Sequence, residues 1–223
     1  MSEYNKRVLI ISGGTINQGF LKQFVATNPI DEIIAVDGGV RVAIEANIVP
    51  NIVLGDFDTI GEIYLEKYLL DKKDQNIDIV RLNPMKDSTD THVAIQKAID
   101  LGANEIVIFG ATGTRFDHVL SNVHILMEAV KKGIAAYLMD EYNKIYLIDH
   151  SITKKKEDLF GDFLSLIPFT TKVSSVTLKG MKYPLSDYTL TIGDSIGVSN
   201  EVVDQECYIE FKDGILFVIE SRD

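Results

Sequence analysis

The sequence predicts an α/β domain followed by a small all-β domain. Up to about Asp149, short continuous apolar runs alternate with helical patterns, which is typical of a parallel sheet covered by helices on both faces. Beyond Asp149, short strand patterns separated by turn residues follow one another without a convincing helix. We therefore expect an α/β, Rossmann-like parallel-sheet domain over residues 1–149 and an antiparallel β-sandwich domain over residues 150–223.

The first domain is built from predicted strands and helices in alternation. The strands are the apolar runs Arg7–Ser12, Glu32–Val36, Ile52–Leu54, Ile77–Arg81, Glu105–Phe109 and Ala135–Met139. The helices are the periodic segments Gln18–Ala26, Val40–Ala46, Ile60–Leu70, Thr89–Leu101 and His118–Lys132. For the fourth helix, Asp87 or Ser88 is a suitable N-cap and Gly102 is a suitable end.

The second domain is predicted to contain strands only. They are Phe163–Ile167, Val173–Leu178, Tyr188–Thr191, Glu206–Phe211 and Ile215–Glu220. Asp213-Gly214, between the last two strands, predicts a two-residue hairpin. The charged stretch Lys154–Asp158 is interpreted as a solvated linker or turn between the domains.

Composition and charge narrow the class of protein. The formal net charge is −11, which argues against nucleic acid and an anionic membrane as partners, because both are bound through Lys and Arg. Cys207 is the only cysteine, so no internal disulfide forms, which fits a reducing compartment. No apolar run approaches the roughly 18 residues of a membrane helix, and Met1–Lys6 has no signal-peptide character. We expect a cytoplasmic protein.

Four loops that follow predicted strands are acidic, and ligands of open α/β sheets bind at this edge. They are Asp37-Gly38-Gly39, Gly55–Thr59, Lys86–Asp90 and Gly110–His118. Asp56 and Asp58 lie two residues apart with no basic residue between them, so a hard cation is needed to relieve their repulsion. Carboxylates are the ligands that Mg²⁺ prefers, with substrate phosphates completing its shell. The four loops together therefore predict one or two magnesium ions and a polyphosphate.

Other features of these loops support the same chemistry, although each has a plainer explanation alone. The loop Gly110–Gly113 opens onto a helix and can offer backbone N–H groups to a phosphate, and Arg115 can add a bidentate contact. Asp117 can equally be a helix N-cap, and His118 a partly buried helix residue. Gly13-Gly14 is as consistent with a tight turn as with a ligand loop. Walker A, dinucleotide-binding and zinc-binding patterns are absent from the sequence.

Taken in order, these loops resemble the motifs of the thiamine pyrophosphokinase family. The resemblance rests on the spacing of Asp37-Gly38-Gly39, Gly55-Asp56-Phe57-Asp58-Thr59, Asp87-Ser88-Thr89-Asp90 and Gly113-x-Arg115-x-Asp117-His118, with Asn122 one turn later. Gly197–Glu201 resembles the Ser-Asn motif of the family's β domain. Thr59 stands where the family usually has Ser, and the hydroxyl group is kept.

The resemblance implies transfer of a diphosphate from ATP to the hydroxyl of thiamine, giving thiamine diphosphate and AMP, in a homodimer. The implied metal ligands for Mg²⁺ are Asp56, Asp58 and Asp90. The implied catalytic residues are these three together with Arg115 and Asp117. A carboxylate such as Asp90 or Asp117 can accept the hydroxyl proton, and the sequence does not distinguish between them. The implied nucleotide-binding residues are Asp37, Gly38, Gly39, Gly110, Thr112, Gly113, Arg115, His118 and Asn122. The implied substrate-binding residues are Asp87, Thr89, Ser199 and Asn200.

Two alternatives remain open from the residues themselves. Asp56-Phe57-Asp58 superficially resembles the nucleophile loop of haloacid-dehalogenase-like phosphatases, which predicts phosphate release through a covalent aspartyl-phosphate. A non-catalytic sensor that binds a small molecule in the β domain predicts that Asp56→Asn leaves ligand affinity intact. The acidic loops favour the diphosphate transfer, because a sensor does not need metal-type carboxylates.

Overall fold

The computed structural model describes residues 5–57, 68–70, 75–83 and 87–223. Most of the predicted helix Ile60–Leu70, together with Asp58 and Thr59, lies outside the described residues. The chain divides into two compact units, Met1–Glu141 and Tyr142–Asp223. None of the helices that the structure describes has the length and apolar character that a bilayer crossing requires.

The first unit is built on a parallel sheet, as predicted. Its strands are β1 (Arg7–Ile11), β2 (Glu32–Val36), β3 (Ile52–Gly55), β4 (Asp78–Arg81), β5 (Glu105–Phe109) and β6 (Ala135–Met139). They pair in parallel in the order β4-β3-β2-β1-β5-β6. The direction of the strand order therefore reverses at β1 and β5, and such a switch point is where sheets of this kind bind ligands. Val8 to Ile11 of the central strand are fully buried.

The structure describes both ends of four helices in this unit. They are α1 (Gln18–Thr27), α2 (Gly38–Glu45), α3 (Asp90–Asp100) and α4 (Phe116–Val130). The N-cap of α3 is Thr89, whose hydroxyl accepts from the His92 amide, so the expectation of Asp87 or Ser88 as the cap was wrong. A cap must lie directly before the first helical residue, and the helix starts at Asp90. The N-cap of α4 is Arg115, and Asp117 lies within its first turn.

The second unit is all β apart from one short 3₁₀ helix at Lys156–Asp158. Its strands are β7 (Asn143–Ile148), β8 (Ile152–Lys155), β9 (Phe163–Pro168), β10 (Lys172–Lys179), β11 (Leu185–Thr191), β12 (Glu206–Glu210) and β13 (Leu216–Ser221). One sheet has the order β11-β10-β12-β8, and three further strands pair in the order β7-β13-β9. All of these pairings are antiparallel, as predicted. The boundary between the units lies before β7, ahead of the expected position near Asp149.

Two local expectations for this unit were wrong. Lys154 and Lys155 belong to β8 rather than to a solvated linker, because Lys154 has a buried acidic partner on β13. Asp213-Gly214 does not close a hairpin, since β12 pairs with β10 and β8 whereas β13 pairs with β7 and β9. The segment instead passes beside the start of β10, where a Cβ on Gly214 would collide with the chain at Lys172 and Val173. Glycine suits this position because the chain segments approach closely here and because its φ is +110°.

Candidate active site

A cleft of about 370 Å³ opens at the carboxyl ends of the strands in the first unit. Its walls are the loops after β1, β2 and β5 and the first turns of α2, α3 and α4. The lining residues are Ser12, Gly13, Gly14, Val36, Asp37, Gly38, Thr89, Asp90, Thr91, Gly110, Ala111, Gly113, Thr114, Arg115, His118 and Asn122. Three of the four acidic loops of the sequence therefore contribute to one cleft.

The glycine loops of the cleft pack against each other backbone to backbone. The Gly14 amide donates to the Gly110 carbonyl at 2.9 Å, and a Cβ on Gly14 would collide with the same carbonyl oxygen. A Cβ on Gly113 would collide with the amide nitrogen of Thr15, and one on Gly39 would collide with the Ile11 carbonyl. The loops after β1 and β5 can approach this closely only because side chains are missing. The cleft is therefore lined here by backbone rather than by side chains, as in loops that bind phosphates.

Two carboxyl groups from different loops meet in this cleft. Asp37 ends β2 and precedes α2 with a φ of 45°, and its carboxyl shares a hydrogen bond with that of Asp90 at the start of α3. Burial, then the hydrogen bond and repulsion from Asp90, and then repulsion from Asp56 raise the pKa of Asp37 from 3.8 to about 7. Asp37 Oδ1 is buried and has no hydrogen-bond partner within the part of the chain that the structure describes. The loops after β2 and β3 and the start of α3 thus bring the carboxyls of Asp56 and Asp90 within electrostatic range of that of Asp37.

The predicted metal ligands are only partly described. Asp90 lines the cleft, Asp56 follows β3 within electrostatic range of Asp37, and Asp58 lies outside the described residues. Across residues 5–57, 68–70, 75–83 and 87–223, no three His, Cys, Asp or Glu side chains are arranged so that they hold a metal ion. The contact between Asp37 and Asp90 differs from the expectation that Asp37 binds the nucleotide and Asp90 the metal.

Arg115 and Asp117 form an ion pair at the mouth of the cleft. Their side chains lie 2.5 Å apart at the closest atoms and are 69% and 63% exposed. The hydrogen bond from Arg115 lowers the pKa of Asp117, and the His118 amide, which donates to Asp117 Oδ1 at 2.9 Å, adds to this effect. Arg115 and His118 line the cleft, whereas Asp117 is not among the lining residues.

The remaining predicted nucleotide residues divide into lining and supporting positions. Asn122 is buried, and its Nδ2 donates to the Ala111 carbonyl at 2.9 Å, so it supports the loop after β5. Gly38, Gly110 and Gly113 line the cleft, whereas Gly39 and Thr112 are not among its lining residues. Asp87, which was predicted to bind substrate, is not among them either. Thr89 lines the cleft and also caps α3.

Sequence reasoning missed several residues of the cleft. Ser12, Gly14, Thr91 and Thr114 all line it. The Gly13-Gly14 pair directly after β1 was the available signal, but two glycines alone do not distinguish a turn from a ligand loop. For Ser12 and Thr91, which lie 79 positions apart, the sequence holds no signal of their contact.

The Ser-Asn motif lies in the second unit, and its two residues have different surroundings. Ser199 is exposed with a φ of 55°, and its amide donates to Ser165 Oγ at 2.9 Å. Asn200 is 2% exposed, and its side chain accepts from the Tyr183 amide at 3.0 Å and donates to the Tyr183 carbonyl at 2.8 Å. Asn200 thus fixes the backbone of Tyr183, whose side chain is 55% exposed.

Comparisons with known proteins agree with the motifs and with the fold. Residues 26–138 match the family described as "Thiamin pyrophosphokinase, catalytic domain". Residues 149–216 match the family described as "Thiamin pyrophosphokinase, vitamin B1 binding domain". The chain is 34% identical over 190 residues to the thiamine pyrophosphokinase of Bacillus subtilis (strain 168), covering 85% of this chain and 87% of the relative.

Solved structures of similar proteins extend the likeness to nearly the whole chain. The crystal structure of thiamine pyrophosphokinase from Bacillus subtilis superposes with a TM-score of 0.86 at 31% identity, over 98% of this chain and 100% of that one. The protein from Geobacillus thermodenitrificans gives a TM-score of 0.84 at 28% identity, over 97% and 98%. With both family descriptions matched in order and this cleft in place, the chain belongs to the thiamine pyrophosphokinase family.

Proposed function

We propose that the cleft of the first unit binds ATP and that the thiamine hydroxyl attacks its β-phosphorus, giving thiamine diphosphate and AMP. ATP-dependent diphosphorylation of thiamine is the reaction of the family to which the chain belongs. The observation that carries the assignment to this cleft is the meeting of the two glycine loops with the Asp37–Asp90 pair. Peptide N–H groups suit the phosphates, and the acidic pair suits a cation that accompanies them.

Mg²⁺ is part of this proposal, with Asp56, Asp58 and Asp90 as the residues that hold it. The donor set fits a hard cation, because Asp37 Oδ1 is buried without a hydrogen-bond partner in the described region and the carboxyls of Asp90 and Asp56 both repel that of Asp37. When bound, Mg²⁺ neutralises charge that develops on the transferred phosphates. Asp56, Asp58 and Asp90 would hold the ion, and the glycine loops would position the polyphosphate for in-line displacement at the β-phosphorus.

The polar residues at the mouth of the cleft are proposed to bind the phosphates of ATP. Arg115 presents a guanidinium that can leave Asp117 for a phosphate, since the pair is largely exposed. His118 lines the cleft from the first turn of α4. Asn122 holds the loop that carries Gly110 and Gly113.

The second unit is proposed to bind thiamine through Ser199 and Tyr183. Tyr183 is an exposed aromatic residue whose backbone is held on both sides by buried Asn200. An exposed ring on a backbone that is held beside a polar motif suits an aromatic cation such as thiamine, and Lys182 Nζ, 5.6 Å from the ring centroid, already occupies a cation position there. We also propose a homodimer and a cytoplasmic location, which follow from the family resemblance and from the cysteine content respectively.

The test is to incubate the protein with thiamine, ATP and Mg²⁺ and to resolve the nucleotides and thiamine esters. We expect AMP and thiamine diphosphate in equal amounts. ADP with thiamine monophosphate would indicate a simple kinase, and inorganic phosphate with a labelled aspartate would indicate the phosphatase alternative. In the same assay, we expect the Asp90→Asn variant to keep the fold of the wild type and to lose its activity.

A further inference from the structure

The side chains of Ser12 and Thr91 join the end of β1 to the first turn of α3. Ser12 Oγ and Thr91 Oγ1 lie 2.7 Å apart, and each residue is 7% exposed at the wall of the cleft. Either hydroxyl can be the donor. The bond therefore connects two elements that both carry groups of the active site.

The backbone of Ser12 is held in place by β5 and by the loop that follows it. Its amide donates to the Phe109 carbonyl at 2.8 Å, and Gly110 lies so close that a Cβ there would collide with the Ser12 carbonyl oxygen. The backbone of Ser12 is thus fixed against β5 and against the glycine loop that follows it.

Thr91 directly follows Asp90 in the first turn of α3 and is itself buried. The Asp90 carboxyl lines the cleft and shares a hydrogen bond with that of Asp37, which comes from the loop after β2. The capping bond of Thr89 acts within the helix, and the buried apolar residues Ala94 and Ile95 anchor α3 only about one turn later. The bond from Thr91 to Ser12 ties the first turn itself to the sheet.

We propose that Ser12 and Thr91 are a matched pair of positioning residues that fixes the Asp90 carboxyl against the glycine loops, and that neither hydroxyl contacts the substrate. The proposal rests on the role proposed above for Asp90. Activity then depends on the hydrogen bond between the two side chains, and not on the presence of either hydroxyl group by itself.

The experiment compares four variants in the thiamine diphosphate assay: Ser12→Ala, Thr91→Val, Thr91→Ser and the double variant Ser12→Ala/Thr91→Val. Each apolar single variant leaves one buried hydroxyl without its partner, so we expect kcat to fall roughly tenfold while KM for thiamine stays within about twofold. Thr91→Ser keeps the hydrogen bond and is expected to stay within about threefold of the wild type. The double variant removes both polar groups and is expected to recover to a similar level, since apolar replacement of both partners is nearly neutral.

The outcomes separate this proposal from its rivals. A double variant whose loss equals or exceeds the product of the single losses would mean that each hydroxyl contacts the substrate, and would overturn the proposal. Single variants with full kcat, or losses that disappear when activity is normalised to the folded fraction measured by thermal unfolding, would overturn it as well. Asp90→Asn is assayed in the same experiment. If this variant is fully active, the proposed role of Asp90 is wrong. If it is inactive while the Ser12 and Thr91 variants keep full activity, only the proposed role of the Ser12–Thr91 pair is wrong.

Discussion

Lys154 Nζ lies 3.0 Å from Glu220 Oε1, and the Glu220 side chain is completely buried. Lys154 comes from β8 and Glu220 from β13, so the ion pair connects strands of different sheets in the second unit. The Tyr146 hydroxyl donates to Oε1 at 2.7 Å, and the Phe160 amide donates to Oε2 at 2.7 Å. Burial by itself would raise the pKa of Glu220, but Lys154 and these two donors outweigh it, and the pKa lies below its usual value.

We predict that Lys154→Met destabilises the protein by roughly 3–5 kcal/mol, because it leaves a buried carboxylate without its counter-charge. The free energy of unfolding in urea measures this. Lys155→Met is the control, since Lys155 is 58% exposed and only 3.9 Å from Glu157, and we expect a change of at most about 0.5 kcal/mol there. A cost below about 1 kcal/mol for Lys154→Met would contradict the role of the pair.

The loss of stability in Lys154→Met is expected to depend on pH in one direction. A carboxyl group whose folded pKa is depressed contributes stability that is present above its unfolded pKa and lost as the pH falls through the folded value. The difference in unfolding free energy between wild type and Lys154→Met should therefore shrink as the pH falls below about 4. A difference that is constant from pH 7 to pH 3 would speak against an electrostatic origin.

The Asp37–Asp90 pair predicts the opposite trend for the metal-free protein. The pKa of Asp37 is raised from 3.8 to about 7, so its contribution to stability is complete below about pH 4 and is lost as the pH rises through 7. In EDTA, we expect the thermal midpoint of the wild type to fall from pH 5.5 to pH 8, and that of Asp37→Asn to fall less. Asp78→Asn, which removes an exposed carboxylate of β4, should follow the wild type. Parallel curves for wild type and Asp37→Asn would exclude this explanation.

Gly14→Ala tests the packing of the two glycine loops. The added Cβ would collide with the Gly110 carbonyl oxygen, so we expect the loops to separate and KM for ATP to rise about tenfold or more. Gly133→Ala is the control, because Gly133 has a φ of +69° but no atom within 4 Å of an added Cβ. That variant should lose about 1 kcal/mol of stability with unchanged KM. Equal kinetics in the two variants would remove the loops from the nucleotide site.

Arg115→Ala should affect ATP rather than thiamine. Because Arg115 and its partner Asp117 are largely exposed, we expect an unchanged thermal midpoint. KM for ATP should rise about tenfold, and Arg115→Lys should recover only part of this, since an ammonium group cannot bind a phosphate in bidentate fashion. If Arg115→Ala changed only KM for thiamine, the placement of the phosphates would be wrong.

Substitutions of Asn200 and of Tyr183 are expected to differ in their effects on the free energy of unfolding and on KM for thiamine. Asn200→Ala removes a buried amide that satisfies the Tyr183 backbone, so it should cost about 1–3 kcal/mol in unfolding free energy and also raise KM for thiamine. Tyr183→Ala should raise KM for thiamine with little loss of stability, and Tyr183→Phe should be close to wild type because it keeps the ring. An unaltered KM for thiamine in Tyr183→Ala would contradict the proposed ring contact.

The sequence was most informative where a physical signal is local and repeated. β2, β5 and β6 have the predicted bounds, because a largely buried strand is a short continuous apolar run in the sequence. The strands of the second unit were found from short apolar patterns, but β7 and β8 were missed. In β8 the lysines hide the pattern, since Lys154 is a charged residue whose partner Glu220 is 66 positions away.

The acidic loops after separate strands, and the order in which they occur, were determined by the sequence alone, and they were enough to indicate the family. Only the tertiary structure decided which groups meet: the carboxyls of Asp37 and Asp90, the hydroxyls of Ser12 and Thr91, and the backbones of Gly14 and Gly110. It also decided that β12 and β13 lie in different sheets in spite of Asp213-Gly214. The physical reason is that contacts between distant positions depend on strand order and on the close approach of loops, and local periodicity carries no information about either.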